Sequence, residues 1–267
     1  MCQRTAIRFR TCSEPCIEWN ETISGHSTCV PSSPAGASKI DAATGVYTGV
    51  TQGPGGNALG ITVDPVTKNV VYVHADCRST GTCTIVTLDP ATGTSSNFAV
   101  LPGSVANFID GIQFDPKGDY LFLSIRSPSF RLGVLDRTGA VVQLVPMTSE
   151  PDGISFHATA PKFVITNNTD GTITRFDFPG DNYALPPTQS VFASGGFRGD
   201  LSQVGPDGCV YITQGGTRYD NGVVSGQNSL VIICGGFAPA RASALVRPRI
   251  SSSSPRRTRT APARSTA

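Results

Sequence analysis

The sequence predicts an all-β fold built from repeated four-stranded antiparallel units, on three observations. The first is a recurring pair of short alternating apolar runs joined by a turn. It reads DGIQFDPKGDYLFLS at 110–124, ALGITVDPVTKNVVYV at 58–73, DGISFHATAPKFVIT at 152–166 and DLSQVGPDGCVYIT at 200–213. Alternation on both sides of a Pro/Gly/Asp turn is the mark of two neighbouring antiparallel strands. Aligned on Gly60, Gly111, Gly153 and Leu201, the copies follow one another at 51, 42 and 48 residues. The second observation is a recurring outer corner, a short strand ending in an acid and, a few residues on, a glycine. It appears as KIDAATG at 39–45, TIVTLDPATG at 84–93, LGVLDRTG at 132–139 and TITRFDFPG at 172–180. The third is that the linkers lack helical periodicity, so a parallel sheet with helical crossovers is excluded.

Each element follows in order. An inner strand begins near residues 59, 110, 152 and 200, and a second strand follows its turn. A third strand ends at Asp41, Asp89, Asp136 or Asp177, whose carboxylates are expected to bond the backbone of their own turns. Fourth strands are expected at 45–52, 95–101, 140–146 and 189–193. In the last unit the second strand opens at Cys209 and the third spans 230–234. One four-stranded sheet cannot bury both faces; stacking such sheets around an axis does, at a repeat of about 47 residues. The expectation is a β-propeller with about four recognisable blades. It is an incomplete one, because the segment from Lys39 supplies only the outer half of an earlier blade.

Composition agrees. Gly 29 and Pro 20 suit many turns, and no run of eighteen apolar residues is present to cross a bilayer. The seven Arg from Ala238 onward have no acid among them. Subtracting them from the net charge of +2 leaves −5 on residues 1–237. The folded part is thus mildly acidic, which argues against a nucleic-acid surface on it. The sequence divides into an irregular cysteine-containing segment at 1–38, the propeller at 39–236, and an Arg/Ser/Pro-rich tail at 237–267 expected to be disordered. No apolar stretch after Met1 has the form of a signal peptide.

The eight cysteines include two pairs placed as cross-strand links. Cys77 and Cys83 flank a turn between two strands, while Cys209 opens one strand and Cys234 closes its expected neighbour. Both pairs are expected as disulfides, pointing to an extracellular or periplasmic protein. The triplets at Asn20 and Asn167 have the form of glycosylation acceptors.

One constellation bears chemistry. Asp110, Asp152 and Asp200 hold the same place, immediately before their inner strands, and propeller symmetry turns equal places in the repeat into convergent places in space. Three carboxylates at a turn-rich rim suit calcium or magnesium. His157, beyond Asp152, is a candidate base, and Arg198 a candidate counter-charge.

The strings DGIQFDPKGDYLFLS, PDGISFH and VGPDGCVYIT, with LDPATG as outer corner, resemble the six-bladed propellers of the NHL, gluconolactonase (senescence-marker) and virginiamycin B lyase-like type, over about 39–236. In gluconolactonase-like enzymes the resemblance implies a divalent cation held by Glu, Asn and Asp at the channel mouth. Asp110 stands where that pattern has Asn, Asp152 matches its Asp–Gly, and its Glu has no counterpart. The lyase-like relatives imply a His working with an acid and magnesium; His26, His74 and His157 lie in no matching motif. The expected function is therefore a monomeric binding or structural module with a protein or small-molecule partner. The alternative is a metal-dependent hydrolase or lyase of lactonase-like type.

Overall fold

The computed structural model describes residues 36–40, 46–52, 58–74, 81–157, 162–205, 207–215, 218–220, 223–225 and 229–237. The chain is a β-propeller of antiparallel sheets in which, among the described residues, the helical content is one 3-10 turn at Pro179–Asp181.

The sheets follow the repeat. The hairpin β1 (Gly36–Ile40) and β2 (Tyr47–Gln52) stands as a two-stranded sheet. The first full blade runs β3 (Ala58–Val63), β4 (Val70–His74), β5 (Thr82–Leu88), β6 (Ser95–Pro102). The second runs β7 (Phe108–Phe114), β8 (Tyr120–Ser127), β9 (Arg131–Asp136), β10 (Val141–Pro146). The third runs β11 (Pro151–His157), β12 (Phe163–Asn168), β13 (Ile173–Asp177), β14 (Thr188–Ala193). The last pairs β15 (Arg198–Val204) with β16 (Cys209–Gly215) and β16 with β19 (Ser229–Cys234), and has three strands among the described residues. A small hairpin, β17 (Arg218–Asp220) and β18 (Val223–Ser225), is inserted between β16 and β19.

Alternation explains how one strand serves two cores. In β8, Leu121, Leu123 and Ile125 join Val71, Val73 and Ile85 of the first blade in one core. Phe122, between them, faces the other way and packs with Ile154, Phe156, Val164 and Phe176 of the third blade. A strand buried on both faces reads as a near-continuous apolar run, and LFLSI does. The third blade repeats the device, with Val164 on the second core and Phe163 and Ile165 on the third beside Val210 and Ile212. Phe237 belongs to this third core at 5% exposure and bridges to His157, so the folded part reaches one residue past the expected boundary at 236. The rest of the tail, and nearly all of the segment 1–38, lie outside the described residues.

Turn acids behave unequally. Asp89 accepts from Ala91 N and Thr92 Oγ1, and Asp136 from Thr138 N and Ala140 N. Asp177 departs from its expected role: its carboxylate is held by the Arg175 guanidinium two residues back on β13. Asp41 lies outside the described residues. Asp64 at the β3–β4 turn accepts from Val66 N and Thr67 Oγ1, and also receives Arg137 from the second blade at 2.6 Å. Burial pushes its carboxyl up, but these donors outweigh it and hold the group below the usual carboxylate range.

Cys209 and Cys234 are directly paired in register and form a disulfide with Cα atoms 4.0 Å apart. Cys83 is disulfide-bonded and fully buried, while Cys77 lies outside the described residues. The Cys209–Cys234 link closes a loop of 25 residues. Loop-closure entropy for that length is about 3.5 kcal/mol. Replacing both by Ser is expected to lower unfolding stability by about 2–4 kcal/mol under oxidising conditions and to leave the reduced protein unchanged. Urea titrations with and without reductant check this.

A second test addresses how blades are spaced. A methyl group at Gly111 would lie 2.2 Å from Asp152 O, whereas one at Gly215 would meet nothing within 4 Å. Gly111→Ala should destabilise by about 1–3 kcal/mol or more as backbone is forced apart, and Gly215→Ala by far less. Equal midpoints for the two variants would contradict the packing described.

Candidate functional site

The inner strands β3, β7, β11 and β15 each contain a break in pairing. The register to the second strand shifts between Leu59 and Ile61, Ile109 and Ile112, Pro151 and Ile154, and Gly199 and Ser202. A bulge of this kind leaves residues without a partner opposite and bends the strand. The skipped residues are Gly60 in the first blade, then Asp110–Gly111, Asp152–Gly153 and Asp200–Leu201. The three acids thus sit within their strands, at bulges, rather than just before them as the sequence suggested.

Their surroundings differ. Asp152 is 2% exposed, Asp110 is largely buried and Asp200 is exposed. Arg126 on β8 donates to Asp110 Oδ2 at 2.6 Å and reaches Glu150 with its other terminal nitrogen, while lying 5.0 Å from the Phe108 ring centre. Glu150 also accepts from Thr169 Oγ1 at 3.2 Å. Asn167 on β12 donates Nδ2 to Asp200 O, and its buried Oδ1 has no partner among the described residues. Burial of Asn167 closes it as a glycosylation acceptor; Asn20 lies outside the described residues.

The three acids sense one another. Burial pushes Asp152 up to about 8; repulsion from Asp110 and Asp200 adds to it, and Arg126 and Arg198 oppose it. Asp110 is also raised, by burial first, with Arg126 working against the shift and Asp200 adding to it. Arg126 and Glu150 belong to the same cluster and carried no sequence signal, since neither stands at a repeated position. Among the described residues no three His, Cys, Asp or Glu side chains are gathered as a metal centre needs. A cation reaching Asp110 must displace Arg126.

His157 is excluded as the base. It lies five residues along β11 from Asp152, about 16 Å at strand rise. There it stacks on Phe163 at 4.3 Å, packs edge-on against Phe237, and its Nε2 is 2.6 Å from Gly235 O.

Beside the acids lies an open cleft of about 160 Å³, lined by the four inner strands with Tyr211 and Thr213 of β16 and Leu230 of β19. Gly60, Gly111, Gly153 and Leu201 contribute equivalent points of its wall, and Gln113, Ser202, Gln203, Tyr211 and Thr213 its polar groups. Among the described residues none of the three carboxylates lines it, nor does any other charged side chain.

No protein-family model matches the chain, and no curated protein does. Solved structures with a similar backbone course include a Dos1 propeller, at 12% identity and TM-score 0.47 over 74% of this chain and 44% of that one. Another is the Pseudomonas aeruginosa periplasmic gluconolactonase PpgL, at 15% and 0.48 over 77% and 64%. A third is the dihydro-heme d1 dehydrogenase NirN, at 18% and 0.46 over 66% and 37%. The chain spans less than two thirds of the length of each. Likeness at this level carries no information about activity.

The Asp152 geometry predicts a pH dependence. The unfolded chain releases this proton near 3.8, the folded one near 8. Between these values the native state binds the extra proton, so stability is fully present below the lower value and is lost as pH rises through the upper one. Melting temperature should fall between about pH 4 and about pH 8, and Asp152→Asn should flatten that slope. An unaltered slope in the variant would assign the dependence to other groups.

Proposed function

We propose that this chain is a binding module of the secreted type, with its ligand site in the cleft shared by the four inner strands. The observation that carries the proposal is the chemistry of that wall. Among the described residues it offers amides, hydroxyls and aliphatic surface. Such a lining, mostly apolar with a few polar groups, is typical of small-ligand sites. The Cys209–Cys234 link favours an oxidising compartment. The resemblance to gluconolactonase-type propellers is compatible with a periplasmic or extracellular setting.

The second reading, a divalent-metal-dependent hydrolase or lyase, draws on the repulsion among Asp110, Asp152 and Asp200. Calcium or magnesium bound there would relieve that repulsion and, in an enzyme, polarise a substrate oxygen. In the module the same ion would be structural, with Arg126 released from Asp110 to admit it.

One experiment separates these possibilities. With an ion site, millimolar calcium or magnesium raises the melting temperature by mass action, and Asp110→Asn, Asp152→Asn and Asp200→Asn each abolish the shift. An unchanged melt with no ion found by calorimetry leaves three bulge acids, of which Asp110 is paired with Arg126, and the hydrolase reading falls. Cation-dependent turnover in a screen of lactones and esters would instead overturn the module.

A further inference from the structure

Beyond the cleft, the last blade offers an interaction surface at its outer edge. In the three complete blades the third strand, β5, β9 or β13, is covered on its outer side by an antiparallel fourth strand, β6, β10 or β14. In the last blade β19 holds the third place, paired with β16, and among the described residues no strand lies on its other side. A third strand left uncovered presents a row of N–H and C=O groups whose spacing another extended backbone matches.

The outer edges of the complete blades are protected, and this one is not. Each fourth strand has a break in its pairing, at Ile85–Val86 of β5, at Val141–Gln143 of β10 and at Ile173–Thr174 of β13, and β6 and β10 end on Pro102 and Pro146. Bulges and prolines keep sheet edges from pairing further. By contrast β19 pairs with β16 in unbroken register from Ser229 to Cys234 and contains neither proline nor charge. Its Leu230 and Ile232 are 52% and 53% exposed on one face, while Val231 and Ile233 pack against the third core on the other. On that side Phe192 and Ala193 of the third blade are themselves only partly buried. Fourth strands elsewhere supply apolar side chains to such cores, Ala99 and Leu101 to the first and Val145 to the second.

The chain after β19 takes another course. The ends of β5 and β9 turn straight into their fourth strands, with Asp89 N donating to Thr94 O and Asp136 N to Ala140 O. After Cys234 the chain instead runs inward, where Phe237 N donates to Gly208 O and Phe237 bridges to His157 of β11. We propose that the free edge of β19 docks an extended, uncharged segment of a partner protein as an antiparallel fourth strand, with apolar side chains at alternate positions.

Hydrogen exchange of the full chain, with fluorescence anisotropy of a capped, labelled hexapeptide of alternating threonine and valine, tests this. In the free chain the β19 amides turned away from β16 should exchange fast. The peptide should slow them and leave β6, β10 and β14 unchanged. Proline in place of the middle valine removes a donor from the ladder and should weaken binding about tenfold. Ile232→Lys and Leu230→Lys, at exposed positions, should weaken it by a similar factor without shifting the melt. The proposal is overturned by no binding at millimolar peptide, by equal binding of the proline peptide, or by protection on another blade's edge. Slow exchange of the outward β19 amides in the free chain overturns it too, by placing another segment of this chain on the edge. Slowing that grows with chain concentration alone does the same, by placing a second copy there.

Discussion

Everything in this propeller depends on how closely consecutive inner strands approach at their bulges. A Cβ at Gly60 would fall 2.3 Å from Asp110 O, one at Gly111 2.2 Å from Asp152 O, and one at Gly153 2.4 Å from Ser202 N. Real Cβ atoms do not tolerate such distances, so each strand meets the next backbone to backbone only because a glycine stands there. At Gly60 the requirement is doubled by a φ of +48°. These three contacts step round the axis from blade to blade and set the width of the cleft.

Away from the axis, side chains take over. Aliphatic and aromatic groups fill each gap between sheets, and Phe122 alone makes edge-on contacts with Phe156, Phe178 and Tyr183 at centroid distances of 5.0–6.0 Å. Ion pairs cross the same gaps near the surface, as with Arg137 to Asp64. Being partly exposed, that pair contributes modestly to stability, but the fork of Arg137 on a turn already organised by Val66 and Thr67 fixes the relative position of two blades.

The bulge that admits the glycine contact also concentrates charge. Wherever Asp precedes the glycine, a carboxylate is carried inward with the strand, and Asp152, between its two neighbours, is the most deeply placed. Burial raises the Asp152 carboxyl well above the usual carboxylate range, and Arg126 stands paired with Asp110 beside it. The charge is thereby confined to one cluster, and the neighbouring cleft keeps an uncharged wall.

The sequence by itself determined the strand order, the four repeat units and the equivalence of Asp110, Asp152 and Asp200. Period-2 alternation and turn residues are local properties, and a repeat exposes equal positions by simple alignment. It also placed Cys209 opposite Cys234, because one opens a strand and the other closes its antiparallel neighbour. Only the tertiary structure decided that Arg126 and Glu150 join the acids, that His157 lies at the wrong end of its strand, that Asn167 is buried, and that Phe237 completes a core. These depend on which faces of separate blades come together. That relation is carried by inter-sheet packing at the glycine steps, over sequence distances of 40–50 residues, and no local pattern encodes it.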